Sequence, residues 1–137
     1  MAEDAAPTRL ELPLATRRVG RVAWHYESVA STMPLAHELA AAGAADGTIL
    51  LAEEQTAGRG RRGRSWRAPR GSAILCSLIC RPPLRPGDLF LLTAAVSVGL
   101  CAGIARATGL RPQVKWPNDL LLDGRKLAGV LCESRFA

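Results

Sequence analysis

Seven consecutive residues, Gly58-Arg59-Gly60-Arg61-Arg62-Gly63-Arg64, hold four guanidinium groups and three glycines. A segment this charged cannot enter an apolar core, so the chain must fold around it as a loop between buried runs. Arg67 and Arg70 follow, and no acid intervenes between Gln55 and Arg70. The 18 basic and 12 acidic residues of the chain give a net charge of +6. Setting aside the arginines at 59, 61, 62, 64, 67 and 70 leaves 12 of each sign, so the positive excess is confined to this stretch. Glycine tolerates positive φ and lets backbone approach a ligand closely. Guanidinium forks match the oxygens of phosphates and carboxylates. The stretch therefore reads as a mobile loop that meets a compact polyanion.

The apolar runs around it set the fold class. Val22, Trp24 and Tyr26 alternate with polar or small residues and predict a strand. Ser31-Thr32 supplies N-cap hydroxyls and Pro34 a first-turn proline, so a short helix runs to Ala42 before Gly43. Thr48 to Glu53 and Ser72 to Cys80 read as buried strands on either side of the loop. Pro86-Gly87-Asp88 opens a long helix from about Asp88 to Thr108, closed by Gly109. Gln113 to Trp116 is a short strand, and Leu120 to Glu133 is a hairpin turning at Asp123-Gly124. This order predicts an α+β domain, a mixed β-sheet with helices packed on one side. Residues 1–19, with two prolines and weak periodicity, read as an N-terminal arm, and residues 20–137 as the domain.

Composition excludes several classes. With 48% apolar and 22% charged residues the chain is globular, not disordered. Cys76, Cys80, Cys101 and Cys132 form no CxxC pair and no metal-ligand spacing, and read as buried thiols of a reducing cytosol. The start lacks the apolar stretch of a signal peptide. Leu89 to Ala105 carries no charge over 17 residues. It is read as a central helix buried on most sides, not a span, so a cytoplasmic protein without a membrane partner is expected.

Three separated segments carry the chemistry: Ser31-Thr32, Glu53 through Trp66, and Lys115-Trp116-Pro117-Asn118-Asp119 with Lys126-Leu127-Ala128-Gly129-Val130-Leu131 downstream. In this combination and order, from about Glu27 to Glu133, the chain resembles the catalytic domain of the biotin–protein ligases, or biotin–[acetyl-CoA-carboxylase] ligases. The resemblance implies a class II aminoacyl-tRNA synthetase-like fold. It implies an enzyme that joins biotin to ATP as biotinyl-5'-AMP and passes biotin to a lysine of a biotin carboxyl carrier protein domain. Mg²⁺ is the expected companion of ATP. By the same resemblance Ser31, Thr32, Met33, Gln55, Gly58, Arg59, Gly60, Arg61 and Lys126 bind biotin. Arg61, Arg62, Arg64, Trp66, Lys115, Asn118 and Asp119 meet the nucleotide. Lys126, Arg61 and Arg59 are the catalytic candidates, and Asp119 is the candidate metal ligand. A homodimer is compatible with the resemblance.

The chain also departs from the family pattern. Met33 and Ala73 stand where the family usually has asparagines. No DNA-binding domain and no C-terminal barrel are found, so the catalytic domain is expected to be incomplete at its C-terminus. Taken singly, the residues have plainer readings. Ser31 and Thr32 alone are an N-cap, Asp119 a turn residue, Lys126 a solvated hairpin charge, and Glu53 and Glu54 counter-charges to nearby arginines. Trp24 and Trp116 read as core, and His25 and His37 have no partner at a useful spacing. The rival enzyme class is a lipoate- or octanoate-type protein ligase or acyltransferase of the same architecture, although its glycine-run signature is missing. A non-enzymatic rival is nucleic-acid binding through the Arg-Gly loop. No nucleic acid is expected as partner, because aromatics make up only 4% of the chain and none interleaves the Arg-Gly segment.

Overall fold

Chain order and strand polarity together decide where the motifs can meet. A computed structural model describes residues 6–135, which fall into two compact units, Met1–Pro82 and Pro83–Ala137. Residues 1–5 of the expected arm, and residues 136–137, lie outside the described residues.

In the first unit the elements run β1 (Thr8–Leu10), β2 (Ala23–Tyr26), α1 (Thr32–Ala41), β3 (Ile49–Ala52), β4 (Gly58–Arg59), β5 (Ser65–Trp66) and β6 (Leu75–Leu78). Four of the strands form a mixed sheet in the order β1-β2-β3-β6. β2 and β3 are parallel, with Tyr26 opposite Ala52. Parallel neighbours need a crossover, and α1 is that crossover. β6 returns antiparallel to β3 and closes this side of the sheet. β1 pairs antiparallel with β2, so Thr8–Leu10, within the stretch read as an arm, is part of the sheet.

α1 covers one face of the sheet. Ala36 packs with Leu50 and Ile79, while Val29, Ala52 and Leu75 form an adjoining cluster. The pleat explains which residues these are: Leu75, Ser77 and Ile79 alternate inward along and just beyond β6. Their neighbours point the other way, and Ile74 is 88% exposed. The expectation of buried thiols is corrected here. All four cysteines are free, Cys76 and Cys132 are exposed, and Cys80 and Cys101 are half-buried. Cys76 lies on the pleat face opposite the helix, a direction that a hydrophobicity count does not register.

The far end of the sheet is held by a polar clasp. Asp46 accepts from the Arg18 guanidinium, with Nε at 2.8 Å, and from the Arg81 backbone N–H at 2.8 Å. Arg81 also caps the end of α1, donating to Ala40 O at 2.7 Å and Ala44 O at 3.0 Å. Gly47 at φ +85° lies so close to Arg18 that a Cβ would sit 2.3 Å from its carbonyl oxygen. Only glycine fits at this crossing.

The second unit carries α2 (Leu89–Thr108), entered through a 3₁₀ turn at Pro86–Asp88, then β7 (Gln113–Lys115), β8 (Asp119–Leu122) and β9 (Arg125–Gly129). The helix ends where expected, with Gly109 left-handed at φ 77° and its N–H donating to Ala105 O at 2.9 Å. The three strands form an antiparallel sheet in chain order, and Asp123-Gly124 makes the predicted positive-φ turn between β8 and β9. Leu120 is its fully buried centre.

α2 is not the buried central helix that its apolar run suggested. Ser97 is its one buried residue, and Phe90, Leu91, Val98 and Leu100 are exposed. Within this unit β7, β8 and the preceding turn pack against it, and much of the helix is exposed among the described residues. By length and composition alone, Pro86–Thr108 is also apolar enough to cross a membrane.

Candidate functional site

Parallel β2 and β3 send their C-terminal continuations out side by side. Val29 N–H donates to Glu54 O at 3.1 Å, Thr56 N–H to Val29 O at 2.9 Å and Ala57 N–H to Ala30 O at 2.8 Å. This lacing brings Gln55 to the first turn of α1, where Ser31 and Thr32 are both buried. Ser31 is the N-cap, and its Oγ accepts from Met33 N–H at 3.4 Å. Gln55 Oε1 accepts from the Thr32 backbone N–H at 2.8 Å and from Thr32 Oγ1 at 3.0 Å. The backbone N–H groups of Thr32 and Met33 are thus already engaged by side chains. Gly58 follows directly: a Cβ there would sit 2.9 Å from Gln55 Nε2 and 2.6 Å from Trp66 O. Its glycine is required by this contact.

The Arg-Gly stretch, expected to be a mobile loop, is a folded hairpin. β4 and β5 pair antiparallel with Gly58 opposite Trp66 and Arg59 opposite Ser65. The tip is a 3₁₀ turn at Arg61–Gly63, closed by Gly60 N–H donating to Arg64 O at 2.7 Å. Arg62 sits left-handed at φ 58°, a conformation that costs a non-glycine residue about 1 kcal/mol. Arg59, Arg61, Arg62 and Arg64 are all exposed, so four cations project from one short hairpin. Trp66 is half-buried against Val29, Ala52 and Leu75, which anchors the hairpin to the core. Arg70 does not belong to this cationic cluster. It pairs with Glu27, donating to its carboxylate and, at 3.1 Å, to its backbone oxygen.

In the second unit, Lys115 on β7 faces Asp119 on β8, and Asp119 lies on the same pleat face as Leu121, the cross-strand partner of Lys126. Lys126 Nζ reaches Asp119 Oδ1 at 2.9 Å. Both ammonium groups therefore lie on the same sheet face as the Asp119 carboxylate. The neighbouring Asn118 fixes the hairpin end by accepting Val130 N–H at 2.8 Å. Trp116, expected in the core, is 65% exposed, because it belongs to the turn between β7 and β8; Trp24 is half-buried.

Three further pairings escaped the sequence. His25 Nε2 lies 2.8 Å from Glu53 Oε1, although neither residue was assigned a partner beyond nearby arginines. Glu54 likewise accepts from Ser28 Oγ at 3.0 Å. Ser77 Oγ lies 2.7 Å from Thr32 Oγ1, both buried. The one available signal for Ser77 was a hydroxyl at an inward position of an otherwise apolar strand. Asp46, central to the clasp, is held below the ordinary carboxylate range by the Arg18 hydrogen bond and the Arg81 backbone donor. No group of three or more His, Cys, Asp or Glu capable of holding a metal occurs among the described residues.

Residues 25–137 match the Biotin/lipoate A/B protein ligase family. The chain is 40% identical over 128 residues to the bifunctional ligase/repressor BirA of Bacillus subtilis, covering 92% of this chain and 39% of that protein. It therefore spans about two fifths of the length of this curated relative. Among solved structures it resembles the biotin protein ligase of Leishmania major in complex with biotin, with a TM-score of 0.71 and 27% identity over 82% of this chain and 51% of that one. It also resembles the biotin acetyl coenzyme A carboxylase synthetase of Helicobacter pylori with bound biotinylated ATP, with a TM-score of 0.65 and 26% identity over 82% of this chain and 55% of that one.

Proposed function

Since the chain belongs to the Biotin/lipoate A/B protein ligase family, we propose that it serves ATP-dependent activation of biotin to biotinyl-5'-AMP, with transfer to a lysine of a biotin carboxyl carrier domain. The observation that carries this reading is the junction of Thr32, Gln55 and Gly58. There the residues assigned to biotin are locked together at the foot of the arginine hairpin.

The chemistry sets what each group must do. In the first step a biotin carboxylate oxygen attacks the α-phosphorus of ATP, and pyrophosphate leaves. Both reactants are anionic, so their approach needs positive charge held in place beforehand. Arg59, Arg61, Arg62 and Arg64 supply it as planar forks. Lys126 supplies a point charge for the reacting carboxylate, its ammonium held extended by Asp119. In the second step the acceptor amine attacks the acyl carbonyl and AMP leaves with the electron pair of the broken C–O bond. Ser31, Thr32, Met33, Gln55, Gly58 and Gly60 form the biotin side of the assignment. Trp66, Lys115 and Asn118 join Arg61, Arg62 and Arg64 on the nucleotide side, with Trp66 limited to its exposed edge. Asp119 alone does not make a magnesium site, since it is engaged with Lys126 and no cluster of three or more His, Cys, Asp or Glu accompanies it among the described residues. Magnesium is assigned to the triphosphate, and no step depends on a protein-bound ion. Cytoplasmic action is part of the proposal.

The test is biotin-dependent ATP–pyrophosphate exchange by the purified chain. Exchange is expected with biotin and not with lipoate, and it should fall by at least tenfold in Lys126→Ala and Arg61→Gly. Exchange that ignores biotin, or that both variants leave unaltered, would overturn the assignment.

A further inference from the structure

Ser77 belongs to no motif, yet its hydroxyl is the only polar side chain on the inward pleat of β6, 7% exposed, and it faces Thr32 Oγ1 at 2.7 Å. Donor and acceptor roles along this chain are forced. A backbone N–H can only donate, so the Gln55 atom 2.8 Å from Thr32 N must be the amide oxygen. Thr32 Oγ1 lies 3.0 Å from that same oxygen and must give its single proton to it, since two acceptors at that distance would repel. With its proton spent, Thr32 can only accept from Ser77, so Ser77 donates. The relay runs one way: Ser77 to Thr32 to Gln55. Both lone-pair directions of the Gln55 oxygen are then occupied. Its amide nitrogen lies on the Gly58 side, 2.9 Å from where a Cβ would stand.

We propose that Ser77 is a positioning residue that fixes Gln55 as a pure hydrogen-bond donor toward the ligand, and so selects a ligand presenting a carbonyl-type acceptor at this point. The inference rests on the biotin reading for the identity of that acceptor, the ureido oxygen. Without the Ser77 proton, Thr32 is released to turn its hydroxyl away. Gln55 then keeps the Thr32 backbone N–H as its anchor, but the second lone pair of its oxygen is open to another donor, so Gln55 is no longer a pure donor. Substrate selection would thus be set from a strand that does not touch the ligand.

Two measurements separate this inference from the functional reading. The first needs no ligand: the side-chain amide resonances of Gln55 in the ¹⁵N-labelled full chain. One ordered signal pair is expected in the wild type, exchange broadening or a second pair in Ser77→Ala, and intermediate behaviour in Ser77→Cys, whose thiol is a weak donor. Identical Gln55 signals in all three proteins would overturn the inference. The second is calorimetric titration with biotin and with 2-iminobiotin, which carries a protonated donor where biotin has its carbonyl. The wild-type preference for biotin is expected to narrow by about tenfold in Ser77→Ala, the order of one lost hydrogen bond. An unchanged preference in a variant that still melts cooperatively would count against Ser77. Failure of the wild type to bind biotin at all would sink the functional reading, while the resonance experiment would still decide the role of Ser77.

Discussion

Gly58 and Arg62 are the two positions where backbone geometry and charge chemistry compete within one hairpin. At Gly58 the contact argument is steric. Gly58→Ala drives a methyl into Trp66 O and Gln55 Nε2 and should lower unfolding free energy by about 1–3 kcal/mol in urea titration. The same variant is expected to weaken biotin binding by more than tenfold, because the added methyl displaces the Gln55 amide. At Arg62 the backbone already occupies the left-handed region. Arg62→Gly should therefore raise stability by about 1 kcal/mol while lowering ATP affinity through the lost cation, two opposite signs readable in one variant. Part of this scale was legible, since Gln55, Gly58 and the arginines stand in one stretch and Thr32 at a readable helix start. Ser77 was not: it stands alone in an apolar strand, and its meaning comes from a partner 45 positions away. The pairing of His25 with Glu53 was hidden for the same reason, being made across parallel strands.

Caps and turns placed most elements, because their signals are local. Ser31 caps α1, Gly109 ends α2 and Asp123-Gly124 turns the last hairpin, each as read from sequence. Packing was less readable. The apolar run of α2 gave its helicity and length correctly but not its exposure, since hydrophobicity along a helix does not say what covers it. Replacing Phe90 and Val98 on its exposed side by Lys is expected to reduce binding of a hydrophobic dye with little change in melting temperature. The β8–β9 hairpin separates stability from function. An exposed ion pair such as Lys126–Asp119 is worth only about 0–1 kcal/mol, so Asp119→Asn should barely move the melting temperature. Pyrophosphate exchange by the same variant is expected to fall at least tenfold, as Lys126 loses its tether. The clasp between residues 18, 46 and 81 makes a pH prediction. The Asp46 pKa is lowered by folding, so its contribution is complete above the unfolded value of about 3.9 and is lost as pH falls through the lower folded value. Arg18→Ala should shift the Asp46 titration upward toward the unfolded value, as followed by carboxyl chemical shift.

The molecule as a whole carries its net charge unevenly, and this shapes its behaviour in solution. Of the net +6, the four hairpin arginines account for the larger part, while Arg70 is paired with Glu27. Replacing Arg59, Arg61, Arg62 and Arg64 by Gln is expected to abolish retention on a cation exchanger at neutral pH, without changing the fold seen by circular dichroism. Family membership and the mixed sheet were legible from motif order, because order survives when packing cannot be read. The division into two compact units was not foreseen, and it falls between Pro82 and Pro83, within a proline-rich connection. The last strand of the four-stranded sheet also has a consequence for biosynthesis. Thr32 and Gln55 leave the ribosome well before Ser77, so a nascent chain holds their pair before the hydroxyl that completes the buried polar chain has been made. That buried chain of hydroxyls and amide closes only once β6 lies beside β3, so a late-made strand supplies its last member.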